Sequence, residues 1–204
     1  AWQNCFAKRQ PMHLELGCGK GTFIARLAAE HPEINYLAID MKSVVLASAV
    51  KNIEQVFQEK GRTDKNVVLT AYDIERILNI MKEEDIVERI YINFCNPWPK
   101  SSYHKKRLTH TRQLQKYQTF LRPGGELHFK TDDDALFEDT LGYLKEAGFE
   151  VKYLTRDLHR SDYPSNIDTE HEVRFCEEGI PIKFLIAENL RVRTLDEIEW
   201  KKRD

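Results

Sequence analysis

Three glycines at alternate positions, Gly17, Gly19 and Gly21, follow a short apolar run and open a helical pattern. Glycines there permit a tight turn and let a ligand lie against the backbone without Cβ interference. The spacing is G-x-G-x-G, with Thr22 where a dinucleotide fingerprint wants its third glycine. A diphosphate needs the helix amino terminus free to receive its charge, yet Glu15 places a carboxylate just before the first glycine. That suits a cationic ligand better. Asp40, at the tip of the next apolar run, is placed to accept from ribose hydroxyls, and Asp73 from an adenine amino group. A nucleoside with a positive charge and a free amine fits these acceptors: S-adenosylmethionine. The competing use of the same residues is a structural turn, with Asp40 capping the helix that follows.

A second constellation lies at Ile90 to Arg107, where an apolar run breaks at Asn96-Pro97-Trp98-Pro99-Lys100. The two prolines stiffen this lip and push Asn96 and Trp98 toward extended geometry. An amide, a flat ring and an ammonium are followed by Lys105, Lys106 and Arg107. Aromatic surface beside clustered positive charge suits a phosphate-bearing base, although a solvated basic turn would read the same way.

These groups need elements to hold them. Met12–Leu16, Ile34–Ile39, Val67–Ala71, Ile90–Cys95 and Glu126–Lys130 read as strands. Between and after them come helical patterns from Phe23 to before Pro32, over Val44–Phe57, Ile74–Met81, Leu108–Leu121 and Ala135–Ala147. Strict alternation predicts an α/β fold with an open, mostly parallel sheet covered on both faces. Ligands of such sheets sit beyond the carboxyl ends of the strands, where both constellations fall. Beyond the strand-like run Phe149–Leu154 the pattern changes. Residues 156–172 read as a long polar loop, and Val173–Cys176 with Ile180–Ala187 as a strand pair. Thr194 to Glu197 matches a capping box.

With 204 residues the chain suits one domain, 1–204, with a core of about 12–190 and a terminal extension at 191–204. Hydrophobic content of 41% with 31% charged residues is that of a soluble globular protein, and no apolar run approaches membrane-spanning length. The chain opens on Ala1, not Met, so the natural amino terminus is expected to precede it. Four scattered cysteines without a C-x-x-C pair point to a reducing cytoplasm and supply no zinc-ligand spacing. A net charge of −2 argues against indiscriminate nucleic-acid binding and leaves RNA contact to local basic clusters.

Together, Leu14-Glu15-Leu16-Gly17-Cys18-Gly19-Lys20-Gly21, Ile39-Asp40, Asn93 to Lys100, His104 to Thr109, His128 to Asp132 and Thr169-Glu170-His171-Glu172 resemble the bacterial tRNA (guanine-N7)-methyltransferases. The order matches, and the likeness runs from Leu14 to about Leu190. The resemblance implies a class I S-adenosylmethionine-dependent methyltransferase, a Rossmann-like, doubly wound, seven-stranded sheet with the last strand antiparallel. It implies cofactor contacts at Glu15, Asp40, Asp73 and Asn96, with Gly17, Gly19 and Gly21 forming the loop beneath. It implies tRNA or guanine contacts at Lys100, Asp132 and the Thr169 to Glu172 segment, and a guanine at position 46 of the tRNA variable loop as the target. Asn96 departs from the pattern, since many members carry Asp there. Oligomeric state differs within the family and does not transfer.

Guanine N7 is a neutral lone pair with no proton to lose, so Asn96 need not be disabling and no metal is implied. Two donors on guanine's Watson–Crick edge, N1–H and the N2 amino group, suit one carboxylate: Asp132 first, Glu172 second. Trp98 would stack on a base or wall the pocket, while Lys105, Lys106 and Arg107 would take tRNA phosphates. Asn96-Pro97-Trp98 also resembles the loop of exocyclic amino N-methyltransferases acting on adenine or glutamine, but its second proline is displaced to Pro99. An NAD-dependent reductase is opposed by Thr22, and a non-catalytic RNA-binding module by Glu15, Asp40, Lys100 and Asp132 standing together.

Overall fold

The strands of the central sheet are chemically two-sided. On one face Met12, Leu14, Leu16, Leu37, Ile39, Ile90, Ile92, Leu127, Phe129 and Leu185 form a continuous buried core. On the other, β1 and β4 present His13, Glu15, Tyr91 and Asn93, because successive side chains of a strand point to opposite faces. The computed structural model describes residues 1–191. Its seven strands are β1 Met12–Leu16, β2 Asn35–Asp40, β3 Val67–Ala71, β4 Val87–Asn93, β5 Leu121–Thr131, β6 Phe149–Thr155 and β7 Lys183–Asn189. They lie in the order β3-β2-β1-β4-β5-β7-β6. β7 runs antiparallel to both its neighbours, and the pairs from β3 to β5 are parallel. This is the sheet the resemblance implies.

Helices α1 Thr22–Glu30 and α2 Ser43–Glu59 cover the polar side of β1 and β2, packing Phe23, Ile24, Leu27, Leu46, Ala49 and Ile53 against Tyr36, Ala38 and Tyr91. On the apolar side α3 Thr111–Tyr117 and α4 Asp134–Ala147 bury Leu114, Tyr117, Phe137 and Leu144. Helix α4 starts on Asp133, whose carboxylate accepts from Leu136 N at 2.6 Å, and stops on Gly148 at φ 81°. Both are favoured cap chemistries. Among the described residues no helix is long and apolar enough to cross a membrane.

Five expectations are corrected. Ile74–Met81 is no α-helix: a 3₁₀ segment, Ile74–Asn79, kinks at Arg76 after Asp73 accepts from Glu75 N at 3.0 Å. The helix expected over Leu108–Leu121 is only α3, because Leu121 already pairs with Val87 in β5. Pro123-Gly124-Gly125 therefore lies in a register shift of that strand, where a bulge tolerates it. Val173–Cys176 belongs to helix α5, Glu170–Glu177, started by a capping box in which Thr169 Oγ1 accepts from Glu172 N and the Glu172 carboxylate from Thr169 N. Trp98, expected to be extended, is left-handed at φ 42°, held by Asn96 Oδ1 accepting from Trp98 N at 3.0 Å. The capping box expected at Thr194 and all of the terminal extension after Arg191 lie outside the described residues.

The fifth correction concerns Arg107. Only its neighbours Lys105 and Lys106 are exposed; its own side chain is 2% exposed. It donates to Pro97 O at 2.7 Å, Asp139 Oδ2 at 2.6 Å and Tyr143 Oη at 3.2 Å, and meets His104 Nε2 at 3.0 Å. The guanidinium thus clamps the proline lip to α4 and has no free face for a phosphate. Arg107→Ala is expected to lower the unfolding free energy by about 2–3 kcal/mol, the scale of lost charge-assisted hydrogen bonds. Urea denaturation measures it.

Candidate active site

The glycine turn is built by β1 and β2 together. Gly17 N and Cys18 N both donate to Ile39 O, at 2.8 and 3.1 Å. The three glycines have φ of 78°, 53° and 69°, a region L side chains avoid. A Cβ on Gly21 would lie 2.8 Å from Ala49 Cβ, whereas one on Gly19 would meet nothing within 4 Å. Gly21 is thus required by helix packing, and Gly19 faces open space. Asp40 closes the turn from β2: Oδ2 accepts from Gly19 N and Oδ1 from Lys42 N, each at 2.9 Å.

Beside this turn stands Glu15, 2% exposed. Oε1 accepts from Asn93 Nδ2 at 3.3 Å, and Oε2 has no hydrogen-bond partner. Burial, against the counter-effect of the Asn93 hydrogen bond, pushes its carboxyl up to about 8; Asp40 adds to the rise and Lys130 opposes it. An unsatisfied buried carboxylate oxygen is costly unless a ligand meets it. The donor set, a carboxylate beside open backbone at Gly19, fits a cationic nucleoside and opposes a diphosphate.

One strand over, the lip after β4 bends at Phe94, also left-handed at φ 54°, whose N–H donates to Lys130 O at 2.9 Å. Asn96 and Lys100 are exposed. The Lys106 ammonium lies 5.2 Å from the Trp98 ring centre and 5.0 Å from that of Tyr103, close enough for cation–π attraction. Beyond β5, Asp132 carries a carboxylate with no hydrogen-bond or ion-pair partner among the described residues, while Asp133 caps α4 and Asp134 pairs with Lys183 at 2.7 Å.

The Thr169 to Glu172 segment reaches the same edge through Lys130. This buried ammonium donates to Glu172 Oε2 at 2.9 Å, Asn166 Oδ1 at 2.6 Å and Ile167 O at 3.0 Å. Glu172, fully buried, also accepts from Asn166 Nδ2 at 2.7 Å and Thr169 N at 3.2 Å, and pairs with His159 at 3.1 Å. His159, Asp168 and Glu172 bring their ligand-type atoms within 4.8 Å of one another, but Lys130 already supplies positive charge at that carboxylate. Asp73 stands apart, past β3, with its carboxylate given to the turn it caps.

The family model described as "Putative methyltransferase" matches residues 9–185. The tRNA (guanine-N(7)-)-methyltransferase of Clostridium beijerinckii is 58% identical over 186 residues, 91% of this chain and 85% of that protein. The enzyme of the same name from Clostridium perfringens strain SM101 is 56% identical, covering 93% and 87%. The chain belongs to the tRNA (guanine-N7)-methyltransferase family. Among solved structures, 16S rRNA methyltransferase KamB superposes with a TM-score of 0.66 at 14% identity, covering 92% of each chain. An antibiotic-related methyltransferase does so at 0.62 and 18%, covering 88% and 87%. Both share the methyltransferase fold with this family member.

Within this methyltransferase, Asn93, Lys130, His159 and Asn166 are site neighbours that sequence reasoning did not single out. Asn93 and Lys130 lay inside quoted motifs, and their inward direction follows from strand alternation with Glu15. No local signal marks His159 or Asn166. The raised carboxyl of Glu15 has a consequence for folding. Between its ordinary value of 4.5 and about 8, the folded chain holds a proton that the unfolded chain has released. Stability from this group therefore falls as pH rises through that window and levels off above it. Glu15→Gln is expected to remove this component of the slope, read as unfolding free energy in urea from pH 5 to pH 9.

Proposed function

We propose that this chain transfers the methyl group of S-adenosylmethionine to N7 of a guanine in tRNA, at position 46 of the variable loop, in the cytoplasm. The observation that carries the reading is the unpartnered buried oxygen of Glu15 above the glycine turn. S-adenosylmethionine supplies, when bound, an electrophilic methyl on a sulfonium, with an ammonium and ribose hydroxyls for the residues around it. Glu15 takes the cationic end and Asp40 the ribose. Asp40's two oxygens already fix Gly19 and Lys42, which holds them in place for further donors. Asp73 is the weakest cofactor contact of the set, since its local turn uses it.

N7 needs no general base. The chain's task is to hold the purine in line with the methyl, and fixed orientation of that kind contributes on the order of 7–11 kcal/mol in favourable cases. Asp132 accepts from N1–H and the N2 amino group. Glu172 gives both oxygens to Lys130, Thr169, Asn166 and His159, which favours Asp132 for the guanine edge and leaves Thr169 and Glu172 shaping its surroundings. As the ring becomes cationic, a carboxylate nearby favours the transition state. Lys100 donates to O6 or a phosphate, Lys105 and Lys106 take phosphates, and Trp98 stacks beneath Lys106. The rivals fare worse. Asn96 Oδ1 is given to Trp98 N and is poorly placed to polarise an exocyclic amine, and Glu15 would repel a dinucleotide's phosphates.

Incubation with labelled cofactor and unmodified tRNA, followed by nucleoside digestion, is expected to yield 7-methylguanosine; N6-methyladenosine or no product would reject the proposal. Asp132→Ala should abolish transfer with S-adenosylhomocysteine affinity kept within about twofold, while Asp40→Ala should lose that affinity by the roughly tenfold or more that a charge-assisted hydrogen bond supplies.

A further inference from the structure

β7 is the strand that runs against its neighbours, so its first residue, not its last, lies where the parallel strands end. That residue is Lys183, paired in register with Thr131, the last residue of β5. Its side chain is 5% exposed. The ammonium donates to the main-chain carbonyl of Asp132 at 2.9 Å and pairs with Asp134 Oδ1 at 2.7 Å.

We propose that Lys183 is a positioning residue that aims the Asp132 carboxylate at guanine; this rests on the reading of Asp132 given above. The turn from β5 into α4 is pinned at three points. Thr131 Oγ1 accepts from Asp133 N at 3.1 Å, Asp133 Oδ1 accepts from Leu136 N, and Lys183 holds the Asp132 carbonyl. The Asp133 cap fixes the helix start. Thr131 and Lys183 hold the two ends of one peptide unit, the Asp133 N–H and the Asp132 carbonyl, and Lys183 is the charged partner of that plane, whose orientation sets the direction of the Asp132 side chain. Three successive aspartates thereby divide their work: Asp132 is left free, Asp133 caps, and Asp134 orients the lysine.

The contact is suited to this task. A charged donor on a carbonyl makes a shorter, stronger hydrogen bond than a neutral one, and the buried stem of Lys183 leaves its ammonium little freedom. Misplacement of a reacting partner by about 1 Å costs roughly 100-fold in rate. Asp134 is 84% exposed on its side chain, so its ion pair adds little stability. Removing the ammonium strands no buried charge, because the Asp134 carboxylate is solvated. Lys183→Met, which keeps most of the buried stem, is therefore expected to fold. The contrast is Lys130, whose loss would leave Glu172 buried and charged without its cation.

The test compares Lys183→Met, Lys183→Arg and Lys183→Met in an Asp132→Asn background with the parent chain, using unmodified tRNA and labelled S-adenosylmethionine. Lys183→Met is expected to lower kcat by about 10- to 100-fold, with KM for S-adenosylmethionine and affinity for S-adenosylhomocysteine within about twofold. Lys183→Arg, which still donates to the carbonyl, should recover most of the rate. In the Asp132→Asn background, Lys183→Met should cost less than about threefold, since a residue acting through Asp132 has little left to act on. Parental kcat in Lys183→Met, beside a crippled Asp132→Ala, would overturn the proposal. So would full additivity in the double variant, or a parallel loss of S-adenosylhomocysteine binding, which marks a general structural role. Activity retained by Asp132→Ala would instead remove the reading of Asp132, and Lys183 would fall with it. Should Lys183→Met not fold, Lys183→Leu, which likewise carries no donor, takes its place, with the same outcomes.

Discussion

A carboxylate buried without enough partners is the constraint around which this molecule is arranged. Glu15 lies one residue before the end of β1, which β2 and β4 flank, and is reached by one amide and no cation within hydrogen-bond distance. Moving a charge from water to such a place is expensive, and the folded protein answers by holding the proton to about pH 8. Lys130 relieves part of the cost at longer range, and Asp40 adds to it. A second amide or a nearby lysine would have satisfied Glu15 outright. It would also have left no free acceptor for the cation proposed to bind there. The chain gives up stability at this point and keeps an acceptor in reserve.

That sacrifice is affordable because the two faces of the sheet do different work. The apolar face, from Met12 to Leu185, packs against α3, α4 and the 3₁₀ segment and excludes water. The other face carries ionisable groups along adjacent strands. His13 meets Tyr91, Arg89 pairs with Glu126, Glu126 with His128, and Lys130 with Glu172. Burial holds His13 neutral, its pKa down at about 3, while the His128 hydrogen bond holds Glu126 ionised, down at about 2. His13 and Glu126 thus keep one charge state near neutral pH, in contrast to Glu15. A cavity of about 570 Å³ borders the same face between α1 and residues 163–167, lined in part by Tyr91, Asn93, His128 and Lys130.

Much of this was legible in the sequence where local pattern and tertiary context agree. β1, β3, α4 and the glycine turn fall where alternation, helical period and caps put them, since each is bounded by a Gly, Asp or Pro with one structural meaning. The failures share a cause: patterns with two readings that only distant residues decide. Val173 and Phe175 alternate like a strand, yet Thr169 and Glu172 make a capping box, and Glu172 is drawn inward by Lys130, forty-two residues earlier. Lys105-Lys106-Arg107 reads as one basic run; Asp139 and Tyr143 on α4 withdraw the third member. Trp98 precedes a proline and should extend, but the Asn96 side chain offers its amide a turn. The lysines on β5 and β7 were hardest to see, because a buried lysine is recognised only through partners that the chain supplies elsewhere.

Asn96 shows why geometry outweighs acid–base strength in this site. A carboxylate at the lip would add a negative charge to the end of the sheet where Asp40 already raises the cost of ionising Glu15. An amide can orient a ligand without adding that repulsion. It can also hold Trp98 in its left-handed turn, as Asn96 Oδ1 does. A reaction that removed a proton from its nucleophile would need the stronger base. Attack by a neutral ring nitrogen needs only negative potential near the developing cation, the part proposed above for Asp132. The neutral residue at position 96 is therefore consistent with the proposed chemistry, which rests on orientation and not on proton removal.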